Sequence, residues 1–189
     1  MHHGFRNLSM ALIAAATLAA CGGHYRPVTD TPVRIGAPYT VRGTTYVPAA
    51  EPSYDMLGYA SWYGSESGNR VANGEKFRPG WITGAHTTLP LPTYVEVTSL
   101  TSGKRILVRI NDRGPFSSRT RIIDLSRGAA ELLGMRERGR GPVRVRVAQP
   151  SERDRAALRK GKTAAELAPL PPSVLAALRE RFVRGVGPL

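Results

Sequence analysis

At 189 residues the chain is long enough for one domain with appendages and hardly for two. Its formal charge of +13 points to a polyanionic partner, whether nucleic acid, an anionic membrane surface or an acidic glycan, and charge sign alone does not choose among them. The single cysteine, Cys21, excludes a disulfide framework and a Cys-based zinc site within one chain.

Residues 1–20 read as a secretory signal: a weakly basic start with Arg6, then an apolar run from Met10 to Ala20 that is too short to cross a bilayer as a helix. The run ends in Leu18-Ala-Ala-Cys21, which resembles a bacterial lipobox and implies cleavage before Cys21 and lipidation of its sulfur. Two or more acyl chains anchor a protein stably, so Cys21 is the expected membrane attachment. Gly22 stands where an inner-membrane retention signal places Asp, which favours the outer membrane, facing the periplasm. In that compartment nucleic acid is not an expected partner, and the polyanions within reach are the cell wall and lipid headgroups.

Residues 21–57 carry Pro27, Pro32, Pro38, Pro48 and Pro52, an interval no helix tolerates and no central strand allows. The expectation is a semi-extended tether, whose tyrosines Tyr25, Tyr39, Tyr46 and Tyr54 either dock on the following domain or stay loose. Residues 58–148 turn to a β pattern. Tyr59–Tyr63 is a short strand, and Tyr94–Leu100 alternates and turns at Thr101-Ser-Gly-Lys104 into Arg105–Ile110. Arg121–Leu125 is a further strand, Ser126 caps a short helix closed by Gly134, and Pro142–Val147 alternates valine with arginine. Many short strands with one small helix predict a small closed barrel. Residues 149–189 form a basic tail with two predicted helices, one opening at Ser151 with a capping box and one from Ser173 to about Arg184.

The domain resembles the rare lipoprotein A family of bacterial cell-wall lipoproteins. The resemblance rests on Ala60-Ser-Trp-Tyr-Gly64, Ala72-Asn-Gly-Glu75, Ala85-His86, Val108-Arg-Ile-Asn-Asp-Arg-Gly-Pro-Phe116 and Arg121-Ile-Ile-Asp-Leu-Ser126. It implies a six-stranded double-psi β-barrel and a lytic transglycosylase that cuts the β-1,4 bond between MurNAc and GlcNAc in peptidoglycan glycan strands, leaving 1,6-anhydro ends. It also implies peptide-stripped strands as substrate and divisome proteins as further partners. Many family members end in a glycan-binding SPOR domain, for which the tail is too short. A non-catalytic, expansin-like wall-binding or divisome-associated module is the other reading.

The chemistry needs a general acid and a negative charge facing an oxocarbenium-like transition state. Resemblance assigns Glu75 as the acid, Asp112 as the stabilising carboxylate and His86 as an orienting or sugar-binding group. From the residues alone, a solvated turn charge is the preferred reading of Glu75, an Asx turn is as good a reading of Asp112 as a catalytic role, and a lone His86 is more often structural than catalytic. Arg113 is expected to hold Asp112 ionised, and it joins Trp62, Tyr63 and Asp124 as a candidate substrate-binding residue. With four histidines and no His-x-x-x-His spacing in the domain, neither a metal nor a cofactor is expected.

Overall fold

The computed structural model describes residues 25–64, 68–118 and 120–185. The signal segment and Cys21 lie outside the described residues. A two-stranded hairpin, β1 (Tyr39–Val41) and β2 (Thr44–Tyr46), precedes six barrel strands: β3 (Asp55–Tyr63), β4 (Thr83–Ala85), β5 (Thr93–Ser99), β6 (Arg105–Asp112), β7 (Arg121–Ser126) and β8 (Arg140–Val147). Helix α1 (Arg127–Leu133) lies between β7 and β8, and α2 (Glu152–Arg159) and α3 (Pro172–Val183) follow.

The barrel closes in the order β3-β7-β4-β6-β5-β8. Two of its pairings, β3 with β7 and β4 with β6, are parallel, and the other four are antiparallel. Its interior follows from the alternation: Val95, Val97, Val108, Ile110, Ile123, Leu125 and Val145 are fully buried. On β8 the intervening arginines face outward onto carboxylates. Arg146 pairs with the buried Glu96 (2.8 Å), and Arg144 Nε donates to Asp55 (2.7 Å). The Arg144 contact explains why β3 begins at Asp55, ahead of the Gly58 at which the pattern reads as β: Asp55 is in register with Arg146, and its side chain is held by Arg144 on the same strand.

Both ends of α1 form as the residues dictate. The Ser126 side chain accepts from the Ala129 amide, and Gly134 closes the helix at φ 75°. Gly128 lets the helix approach the chain before β4, because a Cβ there would lie 2.3 Å from the Gly80 carbonyl oxygen. In the tail, α3 seats Leu175 and Leu178 against Leu57 and Leu100, and Phe182 meets Tyr59 edge-on at 5.2 Å. No helix among the described residues is long and apolar enough to cross a membrane.

The proline-rich segment before the barrel is seated on it. Arg34 and Leu91 exchange both backbone hydrogen bonds at 2.8 Å, the Arg26 amide donates to Gly74 O at 2.8 Å, and the Ala49 amide donates to Thr88 O at 3.1 Å. Tyr39 and Tyr46 stack at 5.3 Å and clamp Phe116. The hairpin between them turns through Arg42 and Gly43, both with positive φ (50° and 78°), the geometry that suits a two-residue connection. An arginine at the first of these positions carries no turn signal, so the hairpin is invisible in composition.

Candidate active site

Strand β4 is three residues long, yet it organises the site because it pairs on both sides. Ala85 is in register with Asp112 of β6 on one edge and with Asp124 of β7 on the other, and Asp124 is in register with Ser61 of β3. Residues in register project to the same face of a sheet. Ser61, Asp124 and Ala85 therefore form a row across three strands, and Asp112 joins it through a bulge that shifts the β4–β6 register between Gly84 and Ala85. The small Ala85 separates two carboxylates whose Cα atoms are two strand spacings apart, about 10 Å.

Asp124 accepts a hydrogen bond from the Ser61 hydroxyl (2.6 Å) and lies 3.5 Å from the Arg121 guanidinium, which also donates to Ser61 (2.9 Å). Asp112 accepts at one oxygen from the amides of Ala72 (2.8 Å) and Arg113 (2.9 Å). Burial raises both carboxyls above the usual range. Opposing it are the Ala72 and Arg113 amides at Asp112, and Ser61 and Arg121 at Asp124. Tyr63, two residues along β3 from Ser61, faces the same side. Its phenol is held well above its ordinary value by burial, then by Asp112 and Asp124. The Tyr63 hydroxyl has no hydrogen-bond partner among the described residues. A buried donor left unpaired near two carboxylates is costly.

Glu75 is held differently. The Ala72-Asn-Gly-Glu75 turn forms as expected, with Gly74 at φ 90° and the Glu75 amide donating to Asn73 Oδ1 (3.1 Å). The carboxylate is 3 % exposed, and its two oxygens accept from Arg109 (2.8 and 2.9 Å) and Asn111 (3.1 Å). Arg109, itself 1 % exposed, also donates to Asp30 (3.2 Å) and to Thr29 O (2.6 Å) of the segment crossing the barrel. Arg109 and Asn111 both reach Glu75, and the bulge between Ile110 and Asp112 sets Asp112 beside Ala85. The structure thus brings Glu75 within one residue of Asp112 along β6, while committing its oxygens to a buried ion pair.

His86 follows Ala85, and its backbone amide donates to Asp112 O (3.1 Å). Its Nδ1 accepts from the amides of Thr88 (3.2 Å) and Leu89 (3.1 Å), and its ring meets Tyr54 edge-on at 4.8 Å. Burial, aided by Arg113, lowers its pKa from 6.5 to about 3, so it stays neutral at physiological pH. The sign of the stability effect follows. Between pH 6.5 and 3 the unfolded chain binds a proton that folded His86 refuses, so stability falls with falling pH by about 1.4 kcal/mol per pH unit. Asp112 and Asp124 act oppositely: their raised values cost stability at neutral pH, and that cost fades as pH falls through them. His86→Asn, which keeps an acceptor near Nδ1, is expected to flatten the acid-side loss in melting temperature measured from pH 7 to pH 4. An unchanged slope would remove His86 as its source.

Arg113 does not reach across to Asp112 with its guanidinium. It donates instead to the carbonyls of His86 (3.2 Å), Leu89 (2.6 Å) and Ile35 (3.0 Å). Burial raises the Asp112 carboxyl; Arg113 lowers it through its amide and its charge, as expected, but burial outweighs both and the net direction is upward. Trp62 points to the other face of β3, donating to Arg136 O (3.1 Å), and stands apart from the row. Among the described residues no three His, Cys, Asp or Glu side chains gather as metal ligands.

An open groove of about 730 Å³ is lined by Tyr46, Tyr54, His86, Phe116, Ser118 and Arg121, and its links to the row are His86, next to Ala85, and Arg121. Arg121 joins it to Asp124. Ser61, Arg109 and Arg121 contact these carboxylates and Ala85 separates two of them, although none was singled out as a candidate from the sequence. Of these only Arg109 carried a signal: a charge inside the apolar run Ile106–Ile110 requires a buried partner.

The closed order β3-β7-β4-β6-β5-β8, with β3–β7 and β4–β6 parallel, is that of a double-psi β-barrel. Residues 55–145 match the family described as lytic transglycolase. The chain is similar to rare lipoprotein A proteins. It is 51 % identical over 115 residues to the endolytic peptidoglycan transglycosylase RlpA of Pseudomonas aeruginosa, covering 60 % of this chain and 33 % of that protein. It is 43 % identical over 116 residues to the RlpA of Rickettsia bellii, covering 59 % of this chain and 51 % of that one. The chain thus spans between a third and a half of these relatives. Among solved structures, a Streptomyces papain inhibitor is similar at 23 % identity over 53 % of this chain and all of its own, with a TM-score of 0.44.

Proposed function

We propose that the protein is an endolytic transglycosylase of peptidoglycan glycan strands, in which Asp124 and Asp112 are the reacting carboxylates. The observation that carries this reading is the pair of carboxylates flanking Ala85, one of them linked through Arg121 to an open groove, in a barrel that matches the lytic transglycolase family. Two Cα atoms about 10 Å apart bring carboxyl groups into the spacing, about 5–9.5 Å, across which glycoside-cleaving pairs work.

Asp124, with a hydroxyl and a distant guanidinium as its partners, is the acid. It protonates O4 of the leaving GlcNAc as the C1–O4 bond breaks. Asp112, which accepts two backbone amides, remains the charged partner and faces the positive charge that develops at C1 of the muramoyl unit. The C6 hydroxyl of that unit then attacks C1 and returns its proton to Asp124, closing the 1,6-anhydro ring with no water consumed. Glu75, clamped by Arg109 and Asn111, holds the 71–75 turn so that the Ala72 amide stays on Asp112. Tyr63 donates to a sugar hydroxyl, and Tyr46, Tyr54 and Phe116 offer apolar faces to the rings.

A lipid on Cys21 would hold the domain at the outer membrane, within reach of the wall, in wall remodelling or daughter-cell separation. The test is to incubate the protein with amidase-stripped glycan strands and analyse the products by mass spectrometry. Release of fragments with 1,6-anhydro-MurNAc ends is expected. Strands that stay intact while still bound would instead establish the non-catalytic wall-binding module.

A further inference from the structure

A second cavity, of about 430 Å³, opens on the far side of the 71–75 turn. Four arginines line it: Arg26 and Arg34 from the segment before the barrel, Arg70 from the loop before the turn, and Arg113 from the end of β6. No acidic side chain lines it. Arg26, Arg34 and Arg113 form no ion pair with any described carboxylate within 4 Å.

Gly74 makes room for Arg26, because a Cβ there would lie 2.9 Å from Arg26 Cδ. The backbone, not the guanidinium groups, seats the segment, through Arg26 N to Gly74 O and the double exchange between Arg34 and Leu91. Arg113 is fixed by three carbonyls, which are neutral acceptors and leave its charge uncancelled. Ala72, whose amide holds Asp112, also lines the cavity, so an anion bound there is a neighbour of the sugar at the carboxylate row.

We infer that this cavity is a carboxylate subsite, built jointly by the barrel and the segment preceding it, that takes the free lactyl carboxylate of a muramoyl residue. The inference rests on the transglycosylase reading for its ligand and goes beyond it. It makes Arg26 and Arg34, outside the family domain, determinants of specificity for strands without peptides. A peptide on the lactyl group converts that carboxylate into a neutral amide, which a guanidinium binds less strongly.

The test compares the full chain with its Arg26→Ala/Arg34→Ala variant on peptide-stripped strands and on the same strands with their lactyl carboxylates converted to methylamides. Both substitutions keep the backbone hydrogen bonds that seat the segment. On stripped strands the variant is expected to raise KM about tenfold, the loss of one charge-assisted hydrogen bond, with kcat much less affected. On amidated strands wild type and variant should share the same high KM, and the wild-type advantage on stripped strands should shrink as salt is raised. Equal loss on both substrates would make the arginines merely structural, and no loss on stripped strands would remove them from recognition. If neither protein cleaves, equilibrium titration with N-acetylmuramic acid against its methyl ester still decides. Preference for the acid in wild type, lost in the variant, supports the subsite, and equal affinity for both probes overturns it.

Discussion

Replacing Asp124 by Asn lowers turnover on stripped glycan strands by about 10²- to 10⁴-fold, the range a positioned acid–base group supplies. The substitution preserves size and leaves an oxygen to accept from Ser61, which donates at 2.6 Å in the wild type. The barrel should therefore fold normally, with a melting temperature close to wild type. What is lost is the exchangeable proton that burial holds on Asp124 above the usual carboxyl range. Asp112→Asn should fall into a similar range by removing the charge that faces C1, and the double variant should lose far less than the product of the two losses, because the groups act as a unit. The measurement is the initial rate of 1,6-anhydro end formation. An Asp124→Asn protein that cleaves like wild type ends the assignment of Asp124 as the acid.

Glu75→Gln separates positioning from chemistry at the other carboxylate. The substitution leaves Arg109, 1 % exposed, with a neutral partner where it had a bidentate carboxylate. Breaking a buried pair from one side costs about 3–5 kcal/mol, and the remaining contact to Asp30 at 3.2 Å puts the expectation near the lower end. For a chain of this size each kcal/mol moves the melting temperature by about 2–4 °C, so a fall on the order of 10 °C is expected. Activity should fall in step with the loosening of the turn that places the Ala72 amide on Asp112. A Glu75→Gln protein that keeps its melting temperature and loses turnover would instead make Glu75 the reacting acid, as the family resemblance first suggested. Arg109→Met combined with Glu75→Gln should recover part of the stability, since removing the whole pair leaves no buried charge alone.

Local rules accounted for much of the barrel. The valine–arginine alternation of β8, the hairpin from β5 to β6 and the Ser126 and Gly134 caps of α1 form as their periods and capping residues require. The Gly74 turn and the helices of the tail are equally local. The sequence also marked Asp112 and Asp124 as residues of interest, although only by their place in motifs.

Distance along the chain hid the rest. Strand β4 is too short to alternate and contains Gly84, where a Cβ would press within 3.0 Å of Asp124 O, so its strand character comes wholly from β6 and β7 on either side. The relation among Ala85, Asp112 and Asp124 is one of register between strands far apart in sequence, and no local pattern encodes register. The same holds for Glu75, whose oxygens meet Arg109 only after the 71–75 turn folds onto β6. The proline-rich segment behaves likewise: its composition rules out a helix or a central strand, but its seat on Leu91 and Gly74 comes from backbone groups on a surface that the barrel must first create. The amino-acid order by itself determined which residue types could do acid–base and sugar chemistry. The tertiary structure decided which of them share a face, because pairing and burial are set by the closed sheet.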